Sequence, residues 1–368
     1  MLTYECIESP NDEILQDDLE LIANSNIPFN ELNNRKVLVT GATGLIGSQL
    51  VKALSCCNRL HNTNIKIIAL ARSVEKAKAI FGNMLEHPDL KLILGDVTKP
   101  VKITEDIDYI IHTASVTSSK DFVTYPVETI QTVFEGTRNL LELAKDKHVK
   151  AFVYLSSLEV YGVTDPSLKY VTEKNYGYID ILDSRSSYSE GKRIAECLCI
   201  SYEKEYGVPV KIARLTQTFG AGVKYDDGRV FAQFARSVIE KKNIVLHTSG
   251  DTVRSYCYTR DALRALIFIL LKGEKGQAYN VANMDTVISI RDMAEMLSKE
   301  FPEAGIKVVY DITEDIQKFG YNPTVKINLD TAKLQKLGWK AELGIKEMYR
   351  RTIDSMKKQY QQNNCLGK

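Results

Sequence analysis

Two side chains with the spacing needed for proton transfer, Tyr188 and Lys192, lie in a stretch with the pattern of a helix. Residues four apart in a helix share one face, so the phenol and the ammonium point into the same space. A free tyrosine has a pKa of ~10, and a neighbouring cation lowers that value because it favours the phenolate. The pair therefore predicts a base that takes a proton from a hydroxyl group.

A serine upstream of this pair can support the same chemistry. Ser157 lies in the segment S-S-L-E-V-Y-G, residues 156–162, directly after an apolar run that is predicted to be a strand. A hydroxyl at this position can hydrogen-bond the group from which Tyr188 takes its proton. Ser157, Tyr188 and Lys192 are thus three predicted catalytic residues.

Three glycines with the spacing G-x-x-G-x-x-G separate a predicted strand, residues 36–40, from a predicted helix, residues 45–54. The first permits a tight turn, the second lets the backbone approach a pyrophosphate, and the third lets the helix pack closely on the strand. The start of that helix also attracts phosphate. The motif predicts a nicotinamide dinucleotide, whose positive ring would lower the pKa of the nearby Tyr188 further. The expected contacts are Gly41, Thr43, Gly44, Leu45, Ile46, Gly47, Tyr188 and Lys192.

The end of the second predicted strand bears on the choice between NAD and NADP. An enzyme that uses NAD usually has an acidic residue there, on the ribose 2′-hydroxyl, whereas this sequence has Ala71, Arg72 and Ser73. Arg72 could pair with a 2′-phosphate and Ser73 could donate to it, which favours NADP over NAD; alternatively, Arg72 is a solvated strand end. Asp96 either accepts from the adenine amino group or only closes a turn. The remaining predicted cofactor contacts are Val97 and Ala114.

Short apolar strands alternate with helical patterns along the first two thirds of the chain. Such alternation predicts an α/β fold, a doubly wound parallel sheet of the Rossmann type, with a smaller C-terminal substrate lobe. We expect an N-terminal helical appendage at residues 1–34 and a dinucleotide-binding domain at residues 35–219. Residues 220–368 would be mostly the substrate-binding lobe, with some segments returning to the first domain.

The glycine motif, the serine before V-Y-G and the Y-x-x-x-K pair, in this order, resemble the extended short-chain dehydrogenases/reductases that act on nucleotide-sugars. This family includes epimerases, 4,6-dehydratases and UDP-glucuronate decarboxylases, and the resemblance covers residues 36–355. It implies hydride transfer from C4 of the sugar, a 4-keto intermediate and a second lobe for the nucleotide-sugar. It also implies a homodimer built on two long helices of each subunit, here residues 129–144 and 187–206.

Several stretches look most like the UDP-glucuronate decarboxylases, namely H-T-A-S at 112–115, E-G-K-R-I-A-E at 190–196, D-G-R-V at 227–230 and the R-S-Y that begins at Arg254. That resemblance makes Ser157 the catalytic serine or threonine. It also makes Glu159 the carboxylate that acts at C5 or C6; alternatively, Glu159 only bonds backbone amides of its loop. Arg254 is implied near the phosphates and the acid group of the substrate. The implied substrate contacts are Ser115, Thr117, Gln217, Arg229 and Arg254.

The sequence also departs from the patterns of its subfamilies. Simple 4-epimerases usually lack a carboxylate at the position of Glu159, and the dTDP-glucose dehydratases have an aspartate where this chain has Leu158. The decarboxylases have an acidic residue where this chain has Ala71, and asparagines at the positions of Val133 and Gln217. The cofactor or the nucleotide-sugar can therefore differ from those of the decarboxylases.

Composition narrows the remaining classes of function. The net charge is +1, and no basic stripe, apolar span or secretory signal is present, so we expect no nucleic acid and no membrane as partner. The seven cysteines and five histidines lack metal-ligand spacing, so we expect no metal and a reduced, cytoplasmic protein. Two alternatives remain, a reductase of a keto-sugar that consumes NADPH and a non-catalytic protein that senses a dinucleotide.

Overall fold

The computed structural model describes residues 7–312 and 325–366, with side chains up to residue 361. Its strands are β1 (Lys36–Thr40), β2 (Lys66–Ala71), β3 (Leu90–Leu94), β4 (Tyr109–His112), β5 (Ala151–Ser157), β6 (Val210–Leu215), β7 (Gln217–Phe219), β8 (Ile244–Leu246), β9 (Val253–Tyr258), β10 (Gln277–Val281), β11 (Asn283–Ser289), β12 (Val308–Tyr310) and β13 (Lys326–Ile327). Its α-helices are α1 (Glu13–Ala23), α2 (Leu45–His61), α3 (Val74–Phe81), α4 (Ser119–Thr124), α5 (Pro126–Asp146), α6 (Ser186–Tyr206), α7 (Val230–Glu240), α8 (Thr259–Lys272), α9 (Ile290–Glu300), α10 (Ala332–Gln335) and α11 (Ile345–Leu366).

Seven strands form one parallel sheet in the order β10-β6-β5-β4-β1-β2-β3. Side chains of a strand point alternately to the two faces of a sheet. In β1, Val37 and Val39 therefore join the core formed with α2 and α8, while Leu38 joins the core formed with α5 and α6. Because both faces are covered by helices, the strands are apolar runs rather than alternating ones. The predicted doubly wound α/β fold is confirmed.

The second helix is longer than the sequence predicted. The prediction ended it at residue 54, but α2 continues to His61 and stops only where Asn62 adopts a left-handed conformation with φ of 53°. The polar residues of the second half find partners, since Arg59 forms an ion pair with the buried Glu8. A polar stretch that is paired in the tertiary structure continues the helix instead of ending it.

Residues 7–34 lie against the main sheet's helices. Helix α1 lies within the predicted helical appendage, and its Leu19 and Ile22 are fully buried in the core that α2 and α8 share. The buried Asp18 accepts hydrogen bonds from Tyr258 and Arg351, so α1 also contacts β9 and α11.

The second lobe is built on a small sheet of β7, β9, β11 and β13, with β8 and β12 as a separate pair. Helices α7, α9 and α11 contribute to one apolar core with β8 and β9. The chain then returns, because β10 pairs with β6 at the edge of the main sheet. Among the described residues, no helix combines the length and the apolar character needed to cross a membrane.

Candidate active site

A cavity of about 1070 Å³ opens where the carboxyl ends of the main-sheet strands meet the second lobe. Ligands of open α/β sheets bind at this edge. Most of the predicted site residues line it, namely Gly41, Thr43, Gly44, Leu45, Ile46, Gly47, Arg72, Asp96, Val97, Ala114, Ser115, Thr117, Ser157, Glu159, Tyr188, Gln217 and Arg229. Ser73, Lys192 and Arg254 do not contribute to the lining of this cavity.

The glycine turn is shaped for a ligand that approaches its backbone. Gly41 has a φ of 62°, and a Cβ there would lie 2.8 Å from the backbone of Ala114. A Cβ on Gly47 would lie 2.3 Å from the carbonyl oxygen of Gly41, so the protein itself requires both glycines. A Cβ on Gly44 would meet only that oxygen, at 3.2 Å. Gly44 faces the cavity at the N-terminus of α2, and the turn therefore fits the pyrophosphate of a dinucleotide.

The three residues predicted to contact the ribose and the adenine have different surroundings. Arg72 is exposed at the end of β2 and faces the cavity. Ser73 instead caps α3, because its hydroxyl accepts from Lys76 N at 3.0 Å and donates to Glu75 at 2.8 Å. Asp96 faces the cavity and also closes a turn, since one carboxylate oxygen accepts from both the amide and the hydroxyl of Thr98 at 2.9 Å. Both predicted roles of Asp96 therefore remain compatible with its position.

The helix α6 brings Tyr188 and Lys192 together as the spacing predicted. Tyr188 is buried, and the Lys192 ammonium lies 5.8 Å from the centre of its ring. The Lys192 Nζ donates to the carbonyl oxygen of Leu155 at 2.7 Å, and burial lowers its pKa to about 7. Ser157, at the end of β5, lowers the pKa of Tyr188 through a hydrogen bond. Ser157 and Tyr188 thus line the cavity, and Lys192 lies behind Tyr188.

The pKa of Tyr188 corrects one expectation. Proximity to Lys192 and to a cationic nicotinamide predicted a lowered value, but in the protein by itself the pKa is raised. Burial is the main cause and the negative charge of Glu159 adds to it, whereas Ser157 and Arg185 lower the pKa less. Lys192 is not among the groups that contribute most to this shift. A cation supplied with the cofactor would oppose this shift.

An arginine that the sequence analysis missed holds the predicted carboxylate. The Arg185 guanidinium donates to both oxygens of Glu159, at 3.1 and 3.2 Å, and Ser189 donates to one of them at 2.9 Å. Burial would raise the pKa of Glu159, but Arg185, Arg254 and Ser189 together lower it. Arg185 could have been found from the sequence, because it directly precedes α6 and lies only three residues before Tyr188.

A second guanidinium lies behind the same wall. Arg254, on β9, is buried beside Glu159, and its Nε has no hydrogen-bond partner among the described residues. Burial lowers its pKa, and the charge of Glu159 opposes that effect. Two buried guanidiniums, those of Arg185 and Arg254, therefore lie beside Glu159 in this part of the site.

The remaining predicted substrate contacts lie around the mouth of the cavity. The Arg229 guanidinium is held by the Asp227 carboxylate through three hydrogen bonds of 2.6 to 3.2 Å and lies over the ring of Phe231. Gln217 begins β7, and Ser115 follows β4 with its hydroxyl donating to the carbonyl oxygen of Val116 at 3.1 Å. Thr117 is exposed at the same edge. In residues 7–312 and 325–361 no group of three or more His, Cys, Asp or Glu side chains could hold a metal ion.

Known proteins share both the sequence pattern and the fold. The description of the matching family is "NAD dependent epimerase/dehydratase family", and the match spans residues 37–282. UDP-glucuronic acid decarboxylase 6 of Arabidopsis thaliana is 32% identical over 318 residues, which cover 86% of this chain and 87% of that protein. UDP-glucuronic acid decarboxylase 1 of Xenopus tropicalis is 29% identical, with 91% and 76% covered.

A solved structure confirms the fold. UDP-glucuronic acid 4-epimerase from Bacillus cereus, in complex with NAD, superimposes with a TM-score of 0.70 at 24% identity, covering 89% of this chain and 98% of that one. The family match spans well over half of the sequence and includes the glycine turn, Ser157, Tyr188 and Lys192. The resemblance predicted from these motifs is therefore confirmed, and the chain belongs to the NAD dependent epimerase/dehydratase family.

Proposed function

We propose that this enzyme decarboxylates a nucleotide-sugar whose hexose has a carboxylate at C6, as UDP-glucuronate does. The observation that carries the proposal is the presence of two buried guanidiniums beside Glu159. Arg185 pairs with Glu159, and Arg254 lies behind the cavity wall with its Nε lacking a hydrogen-bond partner among the described residues. Buried charges in proteins are normally paired, so this cationic end of the site suits an anionic group on the substrate. A neutral hexose would offer it no anion.

The residues of the site can divide the reaction between C4 and C5/C6. A bound nicotinamide dinucleotide supplies a reversible hydride acceptor for C4 of the sugar. Tyr188 takes the proton of the 4-hydroxyl group, and Ser157 hydrogen-bonds the same oxygen. The C6 carboxylate is then β to a ketone, so the C5–C6 bond breaks with release of carbon dioxide and the electron pair moves towards the C4 oxygen. Glu159 and Arg254 act at this end of the sugar.

A panel of substrates tests the proposal. The protein is incubated with UDP-, dTDP-, CDP- and GDP-linked hexoses and with their uronates, and the products are identified by mass spectrometry. We expect loss of carbon dioxide from a uronate and no change in the neutral hexoses. An interconversion of neutral hexoses at C4, without any decarboxylation, would contradict the proposal.

We further propose that the cofactor is NADP rather than NAD. Arg72, Lys76 and Lys224 line the same end of the cavity, and the charges of Arg72 and Lys224 lower the pKa of Lys76 after burial. Among the described residues, none of the three forms an ion pair. Nearly all other arginines bond to a carboxylate or a carbonyl oxygen. Three like charges beside the predicted ribose site suit a 2′-phosphate.

The substitution Arg72→Ala tests this preference. A charge-assisted hydrogen bond to a phosphate contributes free energy that corresponds to roughly tenfold or more in affinity. We therefore expect the affinity for NADP to fall by that factor, while the affinity for NAD hardly changes. Both affinities can be measured by calorimetry. Arg291→Ala, at an exposed arginine that pairs with Asp251 in the second lobe, is the matched control. Equal small losses for both cofactors would show that Arg72 is only solvated.

The same cation cluster favours one alternative function, a reductase of a keto-sugar that consumes NADPH. The two functions differ in stoichiometry, because the decarboxylase returns its hydride and the reductase does not. Oxidation of one NADPH for every product molecule would identify the reductase. The dinucleotide-sensing alternative lacks such support, since Ser157 and Tyr188 line the cavity together and Lys192 lies beside the Tyr188 ring.

We also infer a homodimer in the cytoplasm, and both of these remain predictions. Helices α5 and α6 pack against each other and leave Val127, Ile130 and Ile194 exposed on their outer surfaces. A second copy could cover these side chains by forming a four-helix contact. Sedimentation at micromolar concentration should therefore give a dimer, and Ile194→Glu should weaken it. A monomeric parent protein would contradict the inference.

A further inference from the structure

The ring of Tyr188 has an aromatic neighbour that no motif indicated. Phe122, on α4, lies parallel to Tyr188, with 4.2 Å between the ring centres and 8° between the ring planes. Both rings are buried, and both face the cavity. Aromatic rings this close and this parallel resist rotation because each blocks the space that the other would sweep.

The contact does not depend on the two rings alone. The hydroxyl of Ser187, the residue directly before Tyr188, donates to the carbonyl oxygen of Phe122 at 3.2 Å. The guanidinium of Arg185 lies 5.7 Å from the centre of the Phe122 ring, while it binds Glu159. Phe122 therefore contacts the predicted base and the side chain that holds the predicted carboxylate.

Proton transfer needs a defined direction as well as a suitable pKa. The donor and acceptor oxygens must come within ~3 Å in line with the transferred proton, and a small change of orientation is costly in rate. The phenol oxygen of Tyr188 moves with its side chain, and Lys192 is bonded to Leu155 O rather than fixing that oxygen directly. Phe122 supplies a flat wall at the side of the ring.

We propose that Phe122 is a positioning residue, which holds the plane of the Tyr188 ring so that the in-plane lone pairs of its oxygen face the sugar hydroxyl. The inference rests on the proposed role of Tyr188 as base, but not on the fate of C6. It assigns α4 a part in the reaction, although α4 carries none of the motif residues.

The first measurement is independent of turnover. In the full chain loaded with a nicotinamide dinucleotide and carrying isotope-labelled tyrosine, the ring signals of Tyr188 are those missing in Tyr188→Phe. We expect slow flipping of the ring in the parent protein and clearly faster flipping in Phe122→Leu, which keeps an apolar side chain but removes the flat surface. Phe122→Tyr keeps a flat ring and should restore slow flipping.

The second measurement is the single-turnover rate at which the parent's preferred nucleotide-sugar reduces the bound cofactor. We expect Phe122→Leu to lower this rate by about two- to tenfold, the range that corresponds to one aromatic contact, without raising KM. Phe122→Tyr should retain most of the rate. Ser187→Ala, which frees the Phe122 carbonyl, should lower it to a smaller extent.

Phe268→Leu is the control, because Phe268 is equally buried on α8 and does not line the cavity. Unchanged ring flipping and an unchanged rate in Phe122→Leu would overturn the inference. The inference would also be overturned if Phe268→Leu lowered the unfolding temperature and the reduction rate as much as Phe122→Leu does. If the parent reduces its cofactor but releases no carbon dioxide, the proposed decarboxylation fails while this inference remains tested by the reduction rate.

Discussion

Removal of one oxygen atom in Tyr188→Phe should stop every reaction that begins with oxidation of the sugar. The variant keeps the ring and its contact with Phe122, so the fold and the cofactor site should be unchanged. It lacks the group that takes the proton, and positioned acid–base catalysis contributes ~10²- to 10⁴-fold to the rate. We expect a loss of that size in the rate of cofactor reduction, with cofactor affinity retained.

The pH profile adds a second sign of the same role. Burial raises the pKa of Tyr188 in the protein alone, so the phenol is largely protonated at neutral pH. Because the base must be deprotonated, the rate should increase as the pH rises towards this raised pKa, and the increase should vanish in Tyr188→Phe. Tyr349→Phe is the control, since its buried hydroxyl has no partner among the described residues and lies in the second lobe's core. A near-normal rate in Tyr188→Phe would remove Tyr188 from the mechanism.

Features that depend on neighbours in sequence were predictable. The glycine turn is local, because its three glycines, the strand before and the helix after occupy one short stretch, and the structure agrees with all of them except the C-terminal end of the helix. The i,i+4 pairing of Tyr188 and Lys192 is also set by the geometry of a single helix. The strand pattern was sufficient for the parallel sheet, since β1 and its neighbours are continuous apolar runs.

Features created by tertiary contacts were not predictable in the same way. Arg185 meets Glu159 across 26 residues, and Phe122 meets Tyr188 through α4, which the sequence pattern did not reveal as a helix. Ser73 was expected on a phosphate, yet its hydroxyl serves the N-terminus of α3, a competing use for serine at a strand-to-helix turn. The raised pKa of Tyr188 follows from burial, which composition and spacing do not measure.

The substitution Glu159→Gln separates the reaction classes that share Tyr188. It retains the size of the side chain and its ability to hydrogen-bond, but it removes the negative charge that faces Arg185 and Arg254. Oxidation at C4 does not require this charge. Chemistry at C5 or C6 requires the negative charge of Glu159, if this side chain moves a proton or balances the guanidinium that binds the substrate's acid group. We therefore expect normal cofactor reduction and a product rate lowered by ~10²-fold or more.

The trapped species gives the clearest readout. Mass spectrometry should detect a 4-keto sugar accumulating in Glu159→Gln but not in the parent.

Loss of one partner of a buried ion pair also destabilises a protein by roughly 3–5 kcal/mol, so unfolding must be measured in parallel. Glu196→Gln is the matched control, because Glu196 forms a buried pair with Arg214 at 2.6 Å on the same helix as Tyr188. This control should lose stability without accumulating a keto-sugar. Full turnover by Glu159→Gln, with no trapped ketone, would exclude the decarboxylase and favour a simple 4-epimerase or a reductase, which need no charge at this position.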